Sequence, residues 1–420
     1  MVTIKNAKAL GASPACKAVV KLLQAGLDAL DPEKALKSAV TLGSDTLTLG
    51  AQQFSLRKID RIIVVGAGKA SGVMASVLEM ILGDRISKGL IIDVTSRKLK
   101  RIKVLAGDHP VVSPHNARLT HEILKMTGNL SVSDLVICLF SGGGSALFSD
   151  PRINLNQYQN LMRRMLTSGA TIQEFNTVRK HVDSVKGGRF AEHCFPANVV
   201  TLLVSDVPGN DPAFIASGPT VPDTTTAKDA QRILAKHGLP QVTVSETPKD
   251  STLFRKVRNI IVLDNEKAVD AMKAEASRLR LKPVVLSTNV TGEARDVGKR
   301  LLAKLGKRTA VIAAGETTVT VRGKGKGGRN QELVLGSVEA LSTMKNTCLA
   351  SMGTDGRDNS DAAGAIADEK TLKKAARLKL DVGAALKDND SYPVWKKLKQ
   401  HIVTGPTGTN VSDMMVAVRS

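Results

Sequence analysis

Short β-branched runs that alternate with helix-length patterns constrain this chain more than any other feature. "RIIVVG" (61–66), "GLIIDV" (89–94), "DLVICLF" (134–140) and "VVTLLVS" (199–205) come first. After a polar break follow "NIIVLD" (259–264), "PVVLS" (283–287), "TAVIAAG" (309–315), "TTVTV" (317–321) and "CLASMG" (348–353). Helical patterns lie between them at 70–83, 156–167, 265–280, 292–305 and 330–345. This alternation predicts an α/β architecture. Asp31 as N-cap with Pro32 at the first helical position marks a further helix start. An amphipathic helix is expected near the amino terminus.

At 420 residues the chain is long for one core, so two domains are expected. The polar, proline-punctuated segment "KHGLPQVTVSETPKDST" (236–252) is the best boundary. It gives an N-terminal domain over 1–240, a linker over 241–258 and a C-terminal domain over 259–420. No apolar run approaches the length of a membrane-spanning helix. Cys16, Cys138, Cys194 and Cys348 are scattered, without a C-x-x-C pair. Neither a zinc site nor a disulfide framework is expected, and a reducing cytoplasm is.

A formal charge of +21 predicts attraction to polyanions in general. Specific nucleic-acid binding would need that charge in a stripe, with aromatic side chains for single strands. Aromatics are 3% here and lysines recur on most helical patterns, so no specific nucleic-acid partner is expected.

In open α/β sheets ligands gather at the carboxyl ends of strands, and three such turns are glycine-rich. "VVGAGKASG" (64–72) begins a G-x-G-x-x-G pattern but has Ser71 at the third glycine position. Lys69 adds a point charge there, and Asp93 stands about where a ribose-binding acid would fall. "LFSGGGSALF" (139–148) sets Gly142, Gly143 and Gly144 between Ser141 and Ser145. Its amides can approach an anion without Cβ obstruction, and its serines add hydroxyl donors. It is neither a Walker A loop nor a nucleophile elbow. "VRGKGKGGRNQE" (321–332) reads as a mobile cationic flap on a hairpin edge, leading into a helix at Arg329.

Two acidic loops follow strands. "VSDVPGNDPAFIASGPTVPD" (204–223) carries Asp206, and "GTDGRDNSDAAGA" (353–365) carries Asp355, Asp358 and Asp361. Hard oxygen ligands at strand ends suit Mg²⁺. The segment 172–189 predicts a helix running to Gly187–Gly188, with Asn176 and Lys180 on one face and Arg179 beside them. Its cations could hold a substrate carboxylate.

Together, "GAGKASGVMA", "SGGGSALF", "ATIQEFNTVRKHVDSVKGGRFA", "GETTVTVRGKGKGGRNQELVL" and "GPTGTNVSDM" resemble the second-type glycerate kinases, whose carboxyl-terminal region is the MOFRL domain. The resemblance implies two Rossmann-like α/β domains with a catalytic cleft between them. It implies ATP, Mg²⁺ and conversion of D-glycerate to 2-phosphoglycerate. It also implies that Lys69 and Arg329 are catalytic. Ser141, Gly142, Gly143, Gly144 and Ser145 would hold substrate or phosphate, as would Asn176, Arg179 and Lys326. Asp206 and Asp355 are the expected metal ligands, and either could instead accept the hydroxyl proton. Partners would be D-glycerate and a nucleotide, with no membrane, in a cytoplasmic monomer or homodimer. The enzyme alternative is an NAD(P)H-dependent hydroxypyruvate reductase using "GAGKAS" and Asp93.

Overall fold

The computed structural model describes residues 2–207 and 209–420. The chain forms two compact units. One comprises Pro32–Ser205 and Asn210–Leu263, the other Met1–Asp31, Asp206–Gly209 and Asp264–Ser420. The linker expected at 241–258 therefore lies inside the first unit, and the amino-terminal residues group with the carboxyl-terminal half. The polar segment is a docked strap. Arg189 donates to the Ser245 and Glu246 carbonyls at 3.0 and 2.8 Å, and Thr247 donates to Asp223 at 3.1 Å.

In the first unit, six parallel strands form a sheet whose central members, Asn198–Val204, Asp134–Phe140 and Arg61–Ala67, are apolar runs buried on both faces, as helix cover requires. Their spatial order is Val257–Leu263, Asn198–Val204, Asp134–Phe140, Arg61–Ala67, Ile86–Asp93 and Ile102–Ala106. Arg97–Lys98 adds a short antiparallel edge. The first strand in sequence thus lies centrally, and the fourth turns back beside it. That is the doubly wound order, with its switch point between Arg61–Ala67 and Asp134–Phe140. Val40–Leu42, Thr46–Leu49 and Gln52–Ser55 form a separate antiparallel meander. Its strands are too short to show a period in the sequence.

The second unit has a mixed six-stranded sheet: Lys282–Val290, Thr309–Gly315, Asp413–Arg419, Thr347–Gly353, Gly364–Asp368 and His401–Ile402. Only its first pair is parallel. The α/β class holds in both units, although this second sheet is mainly antiparallel. The last strand of the chain sits in its middle. Its first residue, Asp413, pairs with Gly315 on one side and Gly353 on the other.

Helix Pro14–Ala29, the expected amphipathic helix, is capped by Ser13 and packs on Asn265–Arg278 and the sheet. Cys16 on that helix and Cys348 on Thr347–Gly353 pair as a disulfide across 332 residues, contrary to expectation. Their spacing carried no signal because only this packing brings them together. Cys138 and Cys194 are free and buried.

Three local expectations also change. "TTVTV" (317–321) forms an isolated bridge from Thr318 to Glu293 instead of a strand. The helix expected at 330–345 breaks into Arg329–Leu335 and Val338–Ser342, where Gly336 passes close to Arg295. The helix expected to reach Gly187 stops at His181. Among the described residues, no helix is long and apolar enough to cross a membrane.

Candidate active site

The chain leaves the two switch-point strands through "GAGKASG" and "SGGGSA". Gly68 has φ +143°, and any Cβ there would overlap Ser141. The close approach lets the Lys69 amide donate to the Gly142 carbonyl at 2.9 Å, and the Ala70 amide to Ser141 Oγ at 3.0 Å. Ser141 is 1% exposed, so its hydroxyl braces the two turns. Gly143 takes a left-handed conformation at φ +87°. The Gly144 amide is used by the Ser141 carbonyl at 3.1 Å. Those of Gly142 and Gly143 have no hydrogen-bond partner among the described residues.

Two basic side chains flank this turn. A Cβ on Gly143 would stand 3.3 Å from Lys69 Cγ and 3.2 Å from the His109 ring. Burial lowers the His109 pKa first, and the Lys69 charge lowers it further. His109 was not among the residues predicted from sequence, since nothing local in "GDHPVV" shows that it reaches Gly143.

Helix Ile172–His181 starts with a capping box formed by Thr171 and Glu174, and it brings Asn176 and Arg179 to the same turn. Arg179 lies over the Phe175 ring at 4.3 Å and donates to Ser217 Oγ at 3.3 Å. Burial pulls its pKa down, opposed by Tyr158 and Asp183. Ser217 Oγ also meets Asn176 Oδ1 and Ser145 Oγ, both at 2.9 Å. Ser217 was missed in the sequence, since "IASGPT" shows nothing of its partners. Lys180 turns away to Asp223 at 3.2 Å and is buried there, so it does not join Arg179 as a carboxylate ligand. Lys186, fully buried, donates to the Ser145 and Phe148 carbonyls at 2.8 and 2.7 Å and holds the turn from behind.

Asp93 is not available to a ribose. It is 1% exposed and accepts the Gly72 amide at 2.8 Å and the Val94 amide at 2.6 Å. The amino end of helix Ser71–Leu82 is thus answered by a carboxylate from within the protein.

The second unit carries a cleft of about 1170 Å³ around Arg329. Arg329 Nε donates to Asp413 at 2.6 Å, and Nη1 pairs with Glu316. Asp413 is fully buried. Burial lifts its pKa to about 6, against the opposing pull of Arg329. Asp358 accepts the Asn330 and Gln331 amides and caps the Arg329 helix.

The expected mobile flap is instead docked. Lys324 and Lys326 amides donate to Asp388 and Asp390 side chains at 3.1 and 2.8 Å, and the Gly325 amide donates to the Asp388 carbonyl at 2.9 Å. The Lys326 ammonium lies 4.8 Å from the Tyr392 ring centroid. Asp355 closes a turn by accepting the Arg357 amide at 2.9 Å through Oδ1. Asp206 belongs to the short segment that groups with this unit. No group of three or more His, Cys, Asp or Glu able to hold a metal occurs among the described residues. A Mg²⁺ carried by one or two carboxylates and substrate phosphates remains compatible with this donor set.

Residues 18–251 match a family model described as a domain of unknown function, DUF4147, and residues 309–413 match the MOFRL family. A D-glycerate 2-kinase of Thermotoga maritima is 35% identical over 96% of this chain and 98% of its own length. The chain belongs to the MOFRL-type glycerate kinase family. A crystal structure of a glycerate kinase from Thermotoga maritima aligns with a TM-score of 0.86 and 36% identity, over 96% of this chain and 99% of that one. A protein of Agrobacterium vitis, provisionally named as a hydroxypyruvate reductase, is 36% identical over 84% of this chain and 86% of its own. In this member of the glycerate kinase family, the residues predicted from sequence fall into two sets. Lys69, Ser141–Ser145, Asn176 and Arg179 meet in the first unit, while Arg329, Lys326, Asp355 and Asp206 group with the second.

Proposed function

We propose that the protein is an ATP-dependent kinase that phosphorylates the 2-hydroxyl of D-glycerate to 2-phosphoglycerate. One observation carries this reading: two amides without a hydrogen-bond partner among the described residues, those of Gly142 and Gly143, lie between Lys69 and His109 at the switch point of a doubly wound sheet. Amides and cations converging on one turn suit an anion, and phosphoryl transfer asks mainly for positioning and charge neutralisation. The relatives' names agree with it.

In this reading the acceptor oxygen forms a bond to the γ-phosphorus as the bond to the bridging oxygen breaks; ADP leaves, and the hydroxyl proton passes to Asp206 or Asp355. We assign neutralisation of the migrating group to Lys69 and Arg329. The Gly142–Gly144 turn holds an anionic group, and Arg179 takes the glycerate carboxylate. Asp206 and Asp355 are assigned to Mg²⁺, which when bound neutralises phosphate charge. Lys326, stacked on Tyr392, contributes a positive field rather than a direct contact. A cytoplasmic location, which supplies ATP, accords with this reading and is part of the proposal.

The test is direct. The protein is incubated with D-glycerate and ATP–Mg²⁺ and, separately, with hydroxypyruvate and NAD(P)H, and ³¹P NMR identifies the phosphorylated hydroxyl. ADP release with a phosphate on the 2-oxygen is the expected result. Oxidation of the nicotinamide without ADP release would overturn the reading, and the engagement of Asp93 speaks against that outcome.

A further inference from the structure

Ser145, Ser217, Asn176 and Arg179 form a hydrogen-bonded chain whose proton directions follow from the groups themselves. Asn176 Nδ2 donates to the Ile172 carbonyl at 3.0 Å, so its Oδ1 faces Ser217 and can only accept. The single Ser217 proton is therefore committed to Asn176. The Arg179 guanidinium can only donate, and it does so to Ser217 Oγ. The remaining contact, Ser217 to Ser145 at 2.9 Å, must have Ser145 as its donor. Ser145 is half-buried at the edge of the glycine turn, and it presents only lone pairs to a ligand.

The backbone is bent to make this arrangement. Ala216 and Ser217 are consecutive non-glycine residues in the left-handed region, at φ +51° and +63°. The Gly187 and Gly188 amides hold them there by donating to the Ser217 and Gly218 carbonyls at 3.1 and 2.8 Å. Such conformations persist only where the surroundings over-determine them, and they cluster at ligand sites.

We propose that Ser145 accepts a hydrogen bond from the non-reacting hydroxyl of the substrate, the 3-hydroxyl of glycerate, and so selects hydroxylated acids over their deoxy analogues. Ser217 and Asn176 are the positioning residues that fix its polarity. This inference rests on the kinase reading. An oxygen showing only lone pairs repels a phosphate or carboxylate oxygen and suits an O–H donor. The chain also ends on a neutral amide oxygen, which takes up no proton. It therefore suits a hydroxyl that keeps its proton, not the one that attacks.

The experiment compares kcat/KM for D-glycerate and for D-lactate, which lacks the 3-hydroxyl, in wild type, Ser145→Ala and Ser217→Ala. Serine and alanine carry the same Cβ, so Ser217→Ala adds no steric demand at φ +63°. Wild type is expected to favour D-glycerate, and both variants to lower the D-glycerate to D-lactate ratio by about tenfold. The change in Ser217→Ala is informative because that side chain is fully buried and so acts through Ser145. A ratio within about twofold of wild type in both variants, or an equal loss on both acids in Ser145→Ala, overturns the inference alone. A wild-type protein inactive on both acids removes the kinase reading and this inference with it.

Discussion

Arg329 grips Asp413 with two nitrogens, Nε at 2.6 Å and Nη2 at 3.1 Å. The fork is possible because Asp413 opens the central strand of its sheet, between Gly315 and Gly353, and so stands beside the residues that follow both neighbours. A lysine keeps the charge but cannot make the bidentate contact. Arg329→Lys is expected to fold and to lose about 10²-fold in kcat, the usual cost of misplacing a charge that acts in the transition state. Initial rates of ADP release measure it. A variant within about threefold of wild type would show that charge at this position suffices without the fork.

The same pair sets a pH dependence. Burial raises the Asp413 carboxyl from its ordinary value to about 6. Its contribution to stability is therefore fully present below the unfolded pKa of about 4 and falls as pH rises through about 6. Activity should move the other way, because only the ionised carboxylate anchors Arg329. We expect kcat to rise with a single ionisation near pH 6 while the urea midpoint declines slightly over the same window. Asp413→Asn should abolish that limb. A kcat profile flat from about pH 5 to 8 would separate Asp413 from catalysis.

Lys69 differs from Arg329 in having an exposed side chain. What ties residue 69 to the second turn is its backbone amide, donating to the Gly142 carbonyl. Lys69→Ala should thus leave the melting temperature unchanged and lower kcat by about 10²-fold. Loss of stability with unaltered turnover would reverse the assignment and make Lys69 structural.

Lys186 presents the opposite case, a cation whose role is support. Burial holds its pKa down at about 8, and its ammonium donates to two carbonyls behind the glycine turn. Lys186→Met removes both donors and is expected to cost about 2–4 kcal/mol in urea unfolding. Between about pH 8 and 10.5 the unfolded chain binds the proton more tightly than the folded one. Wild-type stability should gain a contribution from Lys186 across that window, and the Met variant should lack it. An unchanged unfolding midpoint in the variant would rule out this bracing role.

The sequence by itself determined the pieces whose signal is local. Runs such as "RIIVVG" and "DLVICLF" became buried strands because apolar length and β-branching act on neighbouring residues. The turns "GAGKASG" and "SGGGSA" were legible for the same reason, since their glycines state a backbone requirement wherever the fold puts them. Lys69, Asn176, Arg179 and Arg329 could be named from motifs, although their partners could not.

Only the tertiary structure decided the rest. It inserted Asp413–Arg419 between two strands far earlier in the chain and brought Cys16 to Cys348. It set His109 beside Gly143, and it joined Ser217 to Asn176, Arg179 and Ser145. It also showed the polar strap 236–252 to be docked and Asp93 to be engaged. Each depends on contacts between residues distant in sequence, whose pairing is set by burial and hydrogen-bond geometry and leaves no periodicity along the chain.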